Sequence, residues 1–143
     1  MNLIAKTLIA SLALAGAAMA KEEPKDPTVK ARVAVMQTIA QNTKTLGEMA
    51  KGATAFDAAS AEAAVAAIEA AAKEVPAKFE PQATDPVSEA KPEIWTNWAD
   101  FTAKAEALAT AASAVDTSSL DGVKAGVGAL GGACKDCHTD YRM

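Results

Sequence analysis

Apolar positions recur at alternating spacings of three and four residues along most of the chain. Four such stretches are separated by capping residues, glycine and proline, and each predicts an amphipathic helix. The first opens at Asp26-Pro27, a side-chain cap followed by a first-turn proline, and stops at Gly52, which places helix over residues 27–51. Its inward line reads Val29, Arg32/Val33, Met36, Ile39, Thr43, Leu46 and Ala50. Asp57 or Ser60 caps the second, whose stripe is Val65, Ile68, Ala72, Val75 and Phe79. Pro76 is expected to kink that helix or end it early, because its ring clashes with the preceding turn.

A polar loop containing Pro81 and Pro86 follows, and helix restarts at Pro92-Glu93. There Ile94, Trp98, Phe101, Ala105, Leu108, Ala112 and Val115 form the inward line. Thr117-Ser118-Ser119 caps the last helix, with Leu120, Val123, Val127, Leu130, Cys134, Cys137 and Tyr141 facing in. No stretch alternates with period two over a useful length, and no repeat suggests a solenoid. Sustained 3–4 spacing with mostly short connections predicts an all-α fold, an antiparallel up-down-up-down four-helix bundle.

Composition sharpens this picture. Among 143 residues there are 37 alanines, and the chain is 50% hydrophobic but only 4% aromatic. A charged fraction of 22% and a net charge of −4 exclude a disordered polyelectrolyte, and no clustered basic surface offers itself to nucleic acid. Scarce aromatic residues beside abundant alanine argue against an all-β fold. Alanine brings little volume to a core, so a non-protein group is expected to supply the missing bulk, and the chain without it should fold poorly.

Residues 1–20 read as a cleaved signal peptide: MNLIAK is a short positive start, TLIASLALAG an apolar core, and Ala18-Met19-Ala20 a cleavage signal. The apolar run is well short of the ~20 residues that cross a bilayer, so no stable membrane anchor is expected. The expectation is one exported domain over 21–143, located in the periplasm.

Both cysteines and the one histidine lie within Cys134-Lys135-Asp136-Cys137-His138. This C-x-x-C-H pattern is that of c-type haem attachment. On a helix, positions i and i+3 share a face, so both thiols can meet the two vinyl groups of one macrocycle, and the adjacent histidine can ligate its iron. Three other readings use the same residues. A dithiol redox pair wants its first cysteine at a helix N-terminus. A zinc site has three soft ligands here and no obvious fourth. A disulfide across four residues closes too small a loop to stabilise much. Gly122, Gly126, Gly128, Gly131 and Gly132 precede the motif at a cost of roughly 1 kcal/mol each against alanine. They signal close helix packing or clearance for a flat group.

The chain resembles the class II cytochromes c, that is, the cytochrome c prime family and its low-spin relatives. The resemblance covers residues 27–142. It is carried by Val29-Lys30-Ala31-Arg32 with Met36, by Leu46-Gly47, Lys51-Gly52 and Phe56-Asp57-Ala58-Ala59, by Lys91-Pro92-Glu93-Ile94-Trp95, and above all by Cys134 to Arg142. It implies one covalent haem c, bound through Cys134 and Cys137, with His138 on the iron. In this family the opposite axial position lies four residues after an arginine matching Arg32, which is Met36 here. High-spin members carry a non-ligating leucine, phenylalanine or tyrosine there, whereas the low-spin branch carries methionine. Bundle geometry agrees. His138 lies near the end of the last helix, level with the early part of the antiparallel first helix, while Met49 is ~20 Å farther along.

Further haem contacts implied by the resemblance are Arg32 and Lys91 at the propionates and Arg142 on the proximal side. Phe79, Trp95 and Trp98 are expected to pack the bundle, with Phe79 also a candidate for the haem edge. Tyr141 is expected in the core or against the haem. The implied function is electron transfer between exported redox partner proteins, with no enzymatic activity, because the one histidine is used as a ligand and no distal acid–base residue remains. The alternative is a high-spin protein that binds NO or CO at an open or displaceable distal site. Relatives also form homodimers through their first two helices.

Overall fold

A computed structural model describes residues 22–143, so the expected signal peptide lies outside the described residues. Five helices follow one another: α1 (Pro27–Ala50), α2 (Ala58–Phe79), α3 (Glu93–Thr96), α4 (Trp98–Ser113) and α5 (Leu120–Tyr141). α1 packs on α2, α2 on α4, α4 on α5 and α5 back on α1, closing a four-helix ring, with α3 as a short preface to α4. The all-α bundle expected from the spacing is the fold observed, and no strand occurs among the described residues.

The caps act where the sequence places them. The Asp26 carboxylate accepts from the Thr28 and Val29 amides at 2.8 and 3.0 Å, Asp57 from Ser60 at 2.7 Å, and Ser119 from Gly122 at 3.1 Å. Each satisfies an amide that a helix start leaves without a partner. Gly52, just past the end of α1, has a φ of 74°, a backbone conformation that favours glycine.

Three expectations are corrected. Of the kink or early end expected at Pro76, the early end does not occur: α2 continues to Phe79, and the Glu80 amide donates to the Pro76 carbonyl. A proline this close to a helix end costs one backbone bond and leaves the last turn closed. The segment expected as one helix from Pro92 is split at Asn97, whose φ of −116° and ψ of 41° leave the helical region between α3 and α4. In α1 the buried line runs Val29, Arg32, Val35, Ile39, Leu46 and Met49, so Val35 and Met49 take the inward places assigned to Met36 and Ala50. The stripe is wider than one line of residues, and Val33, Met36 and Ala50 flank it half-buried.

The loop between α2 and α3 is tied down by Asp85. Its carboxylate accepts from the backbone amides of Lys25 at 2.7 Å and Asp26 at 2.9 Å, and from Val87 at 3.1 Å. The hydrogen bonds from Asp26 and then Val87 hold its pKa below the ordinary 3.8. A lowered carboxylate pKa stabilises the fold above the ordinary value, and that contribution is lost as pH falls through the folded pKa. Asp85→Ala is therefore expected to melt below the native protein at neutral pH. The gap should close in thermal melts taken well under 3.8.

Candidate functional site

The C-x-x-C-H segment occupies the last two turns of α5 and presents two faces. Cys134 and Cys137 are half-buried free thiols packed against the hydrophobic core, while Lys135, Asp136 and His138 are exposed. Three-residue spacing turns both sulfurs inward and leaves the histidine at the rim. Desolvation pushes the Cys134 thiol up, and pushes Cys137 up to about 11 against the opposing charge of Lys104. Thiols held protonated in this way are poor partners for disulfide exchange, which draws on a low-pKa thiolate. Among the described residues no group of three or more His, Cys, Asp or Glu side chains is placed to hold a metal ion. A group bringing its own equatorial donors needs only two thiols and axial ligands, and that donor set is present.

The glycines in front of the cysteines fall into two groups. A Cβ added at Gly122 would lie 2.7 Å from Asp116 Cβ, and one at Gly126 would lie 2.7 Å from both Val115 methyls. These two glycines serve the close approach of the α4–α5 connection. At Gly128, Gly131 and Gly132 an added Cβ would meet nothing within 4 Å. The five glycines thus divide between packing and open clearance.

On the neighbouring α1, Met36 is half-buried and packs against the same core as the two cysteines. One helical turn earlier, Arg32 is a buried charged residue, with 3% exposure. Its guanidinium donates to the carbonyl oxygens of Ala83 at 3.1 Å, Lys78 at 3.4 Å and Pro81, and so closes the C-terminal end of α2 and the loop behind it. The same group lies 5.3 Å from the Phe79 ring centroid and 5.0 Å from that of Trp95. Trp95 in turn donates from Nε1 to the Phe79 carbonyl at 2.7 Å. Desolvation lowers the Arg32 pKa, but from a starting value that leaves it charged.

Lys91 and Arg142, also expected near a haem, make their contacts at the C-terminal end of α5. Lys91 donates from Nζ to the Thr139 carbonyl at 3.2 Å and from its amide to the Tyr141 carbonyl at 3.0 Å, capping α5. Arg142 donates from Nε to Glu89 at 2.5 Å, and an isolated antiparallel bridge joins Ala90 to Arg142. The pKa of His138 lies below its ordinary value, first through desolvation and then through the Arg142 charge, with Glu89 opposing. Phe79 is buried and packs on Phe101, with ring centroids 5.2 Å apart.

One constellation escaped the sequence reading. Lys104 of α4 meets Asp136 at 2.6 Å and Asp140 at 3.3 Å, both on α5. Tyr141 donates to Asp100 at 2.6 Å across the same seam, and this bond is the main reason its pKa is pushed up to about 12. Asp100/Lys104 and Asp136/Asp140 are each spaced i,i+4, so each pair shares a helix face. Only the packing of α4 on α5 brings the two faces together.

Residues 27–142 match the family described as Cytochrome C'. Cytochrome c-556 of Agrobacterium tumefaciens (strain apple 185) is 40% identical over 121 residues, covering 81% of this chain and 94% of the relative. The structure of cytochrome c' from Rhodopseudomonas palustris superposes with a TM-score of 0.73 at 31% identity, covering 83% of this chain and 98% of that one. A nitric oxide complex of a mutant cytochrome c prime from Alcaligenes xylosoxidans gives a TM-score of 0.71 at 29% identity, over 80% and 93% of the two chains. The match begins at the first residue of α1 and ends just past the C-x-x-C-H helix. With its four-helix ring and its inward thiol pair, the chain belongs to the cytochrome c' family, whose members carry one covalent haem c.

Proposed function

We propose that this chain is an exported monohaem cytochrome of the low-spin branch that transfers electrons between periplasmic redox proteins. Cys134 and Cys137 hold the haem through thioether bonds, His138 ligates the iron from α5, and Met36 ligates it from α1. The haem supplies a one-electron couple. Met36 carries this reading: it lies on α1, a helix that packs against α5, and is partly buried against the same hydrophobic core as Cys134 and Cys137. A thioether at that position raises the potential and keeps the iron low-spin, which suits outer-sphere transfer with no protein acid or base.

The remaining residues hold the frame. Arg32 and Lys91 already bond backbone carbonyls, and donors left over on each suit a propionate carboxylate. Arg142, held by Glu89, places positive charge beside His138. No helix among the described residues is long and apolar enough to cross a membrane, and residues 1–20 serve as the export signal. The groove between α1 and α2, lined by alanines such as Ala31, Ala34, Ala67 and Ala70 with Glu74 and Lys78 at one end, suits a homodimer contact.

The second reading is a gas-binding protein with a displaceable sixth ligand, and the nitric oxide complexes of relatives favour it. Spin state separates the two. The oxidised protein is expected to be low-spin, with a methionine-to-iron charge-transfer band near the red edge, and Met36→Ala should convert it to high-spin. A high-spin native protein, or a spectrum that Met36→Ala leaves unchanged, sinks the electron-carrier reading and leaves gas binding.

A further inference from the structure

Lys104 lies in the seam between α4 and α5 with its side chain only 16% exposed. Three carboxylates meet its ammonium: Asp136 at 2.6 Å, Asp140 at 3.3 Å, and Asp100, one turn back on α4, at 4.0 Å. The acids are exposed, at 68%, 51% and 59%, so the cation is the sheltered member. An exposed surface pair of this kind contributes little, because water screens it and two flexible side chains must be ordered. A shielded ammonium with several acceptors is fixed in place and keeps its charge.

Its placement relative to the attachment motif matters most. Asp136 lies between Cys134 and Cys137, and Asp140 lies two residues beyond His138. The two acids are one turn apart on α5, so a cation gripping both sets the rotation of the turn that carries Cys137 and His138. The Lys104 charge also acts on the Cys137 sulfur, where it opposes the effect of burial.

We propose that Lys104 is a positioning residue: held by Asp136 and Asp140, it fixes the Cys137–His138 turn and places a permanent positive charge beside the haem edge. This rests on the haem reading above. The ferric state carries one more positive charge than the ferrous state, so a fixed cation nearby disfavours it. Removing that cation leaves three carboxylates facing the seam and moves the balance towards ferric iron.

The test is potentiometry on purified holoprotein, after covalent haem has been measured on denatured samples. Lys104→Gln is expected to raise the ferric-to-ferrous ratio at fixed applied potential by about threefold. Lys104→Arg, which keeps the charge and reaches the same acids, should restore the native ratio. A native ratio in Lys104→Gln overturns the proposal. So does a shift in Lys104→Arg as large as that in Lys104→Gln, because the effect would then belong to packing. If Lys104→Gln fails to fold, Asp136→Asn, an exposed position, is expected to move the ratio about threefold towards ferrous iron, and an unmoved ratio overturns the proposal. A native chain without covalent haem overturns the haem reading and this inference together, whereas covalent haem with unmoved ratios overturns this inference alone.

Discussion

The double variant Cys134→Ser, Cys137→Ser is expected to carry no covalently bound haem when produced alongside the cell's haem-attachment machinery. Denaturing gels stained for haem should show a band for the native chain and none for the variant. Both sulfurs turn inward from one face of α5, half-buried against the core, and neither is spent in a disulfide. A serine oxygen keeps the shape of the thiol but does not form the thioether bond. Each single variant retains one sulfur and should therefore retain some covalent haem. The open space at Gly128, Gly131 and Gly132 adds a consequence for stability. If the haem occupies that clearance, the double variant loses apolar contact as well as a cross-link, and its melting temperature should fall well below that of the native holoprotein. Covalent haem persisting in the double variant would move the attachment site elsewhere. Equal melting temperatures would show that the alanine-rich core needs no added bulk.

Much of the fold was legible because it rests on local chemistry. Asp26, Asp57 and Ser119 cap helices where a side-chain oxygen precedes an apolar 3–4 pattern, and reading them requires no knowledge of neighbours. The stripe of α2 was legible throughout: Val65, Ile68, Ala72, Val75 and Phe79 are all buried. α1 was read one residue out at Met36 and Ala50, because a helix pressed between two neighbours buries a band, and a 3.6-residue period leaves both edges of that band half-buried. The break at Asn97 was illegible for a related reason. Asparagine is a weak helix former but no stop signal, so nothing in the spacing marks the break.

At the site, the thiols and histidine are legible as a motif, since five consecutive residues match the c-type haem attachment pattern. Arg32 was harder. The sequence places it on the inward face, but its acceptors are carbonyls of Lys78, Pro81 and Ala83, about fifty residues away, and carbonyls have no sequence signature. Glu89 with Arg142, and Lys104 with Asp136 and Asp140, are hidden in the same way. Each joins elements that meet only once the ring of helices has closed.

The aromatic centre that closes this ring is expected to be the most sensitive point of the core. Phe101 is 2% exposed, and three rings surround it: Phe79 at 5.2 Å, Tyr141 edge-on at 5.4 Å and Trp98 at 5.6 Å between centroids. These partners come from α2, α5 and α4 itself, so one side chain of α4 joins it to both helices that flank it. Phe101→Ala removes the transfer free energy of the ring and leaves a cavity that aromatic neighbours fill poorly, for a loss of about 4 kcal/mol. Phe101→Leu keeps most of the volume but loses the tilted and edge-on ring contacts, and should cost about 1.5 kcal/mol. Urea unfolding of holoprotein, followed by far-ultraviolet circular dichroism, measures both. The site gives a second readout, because Tyr141 adjoins the C-x-x-C-H turn and donates to Asp100 beside Lys104. Withdrawing Phe101 frees the Tyr141 ring, so Phe101→Ala should also broaden the haem absorption bands, while Leu108→Ala, farther along α4, should lower stability without touching them. Should the two variants broaden the bands equally, the aromatic cluster would be a general core feature and not the support of the attachment turn.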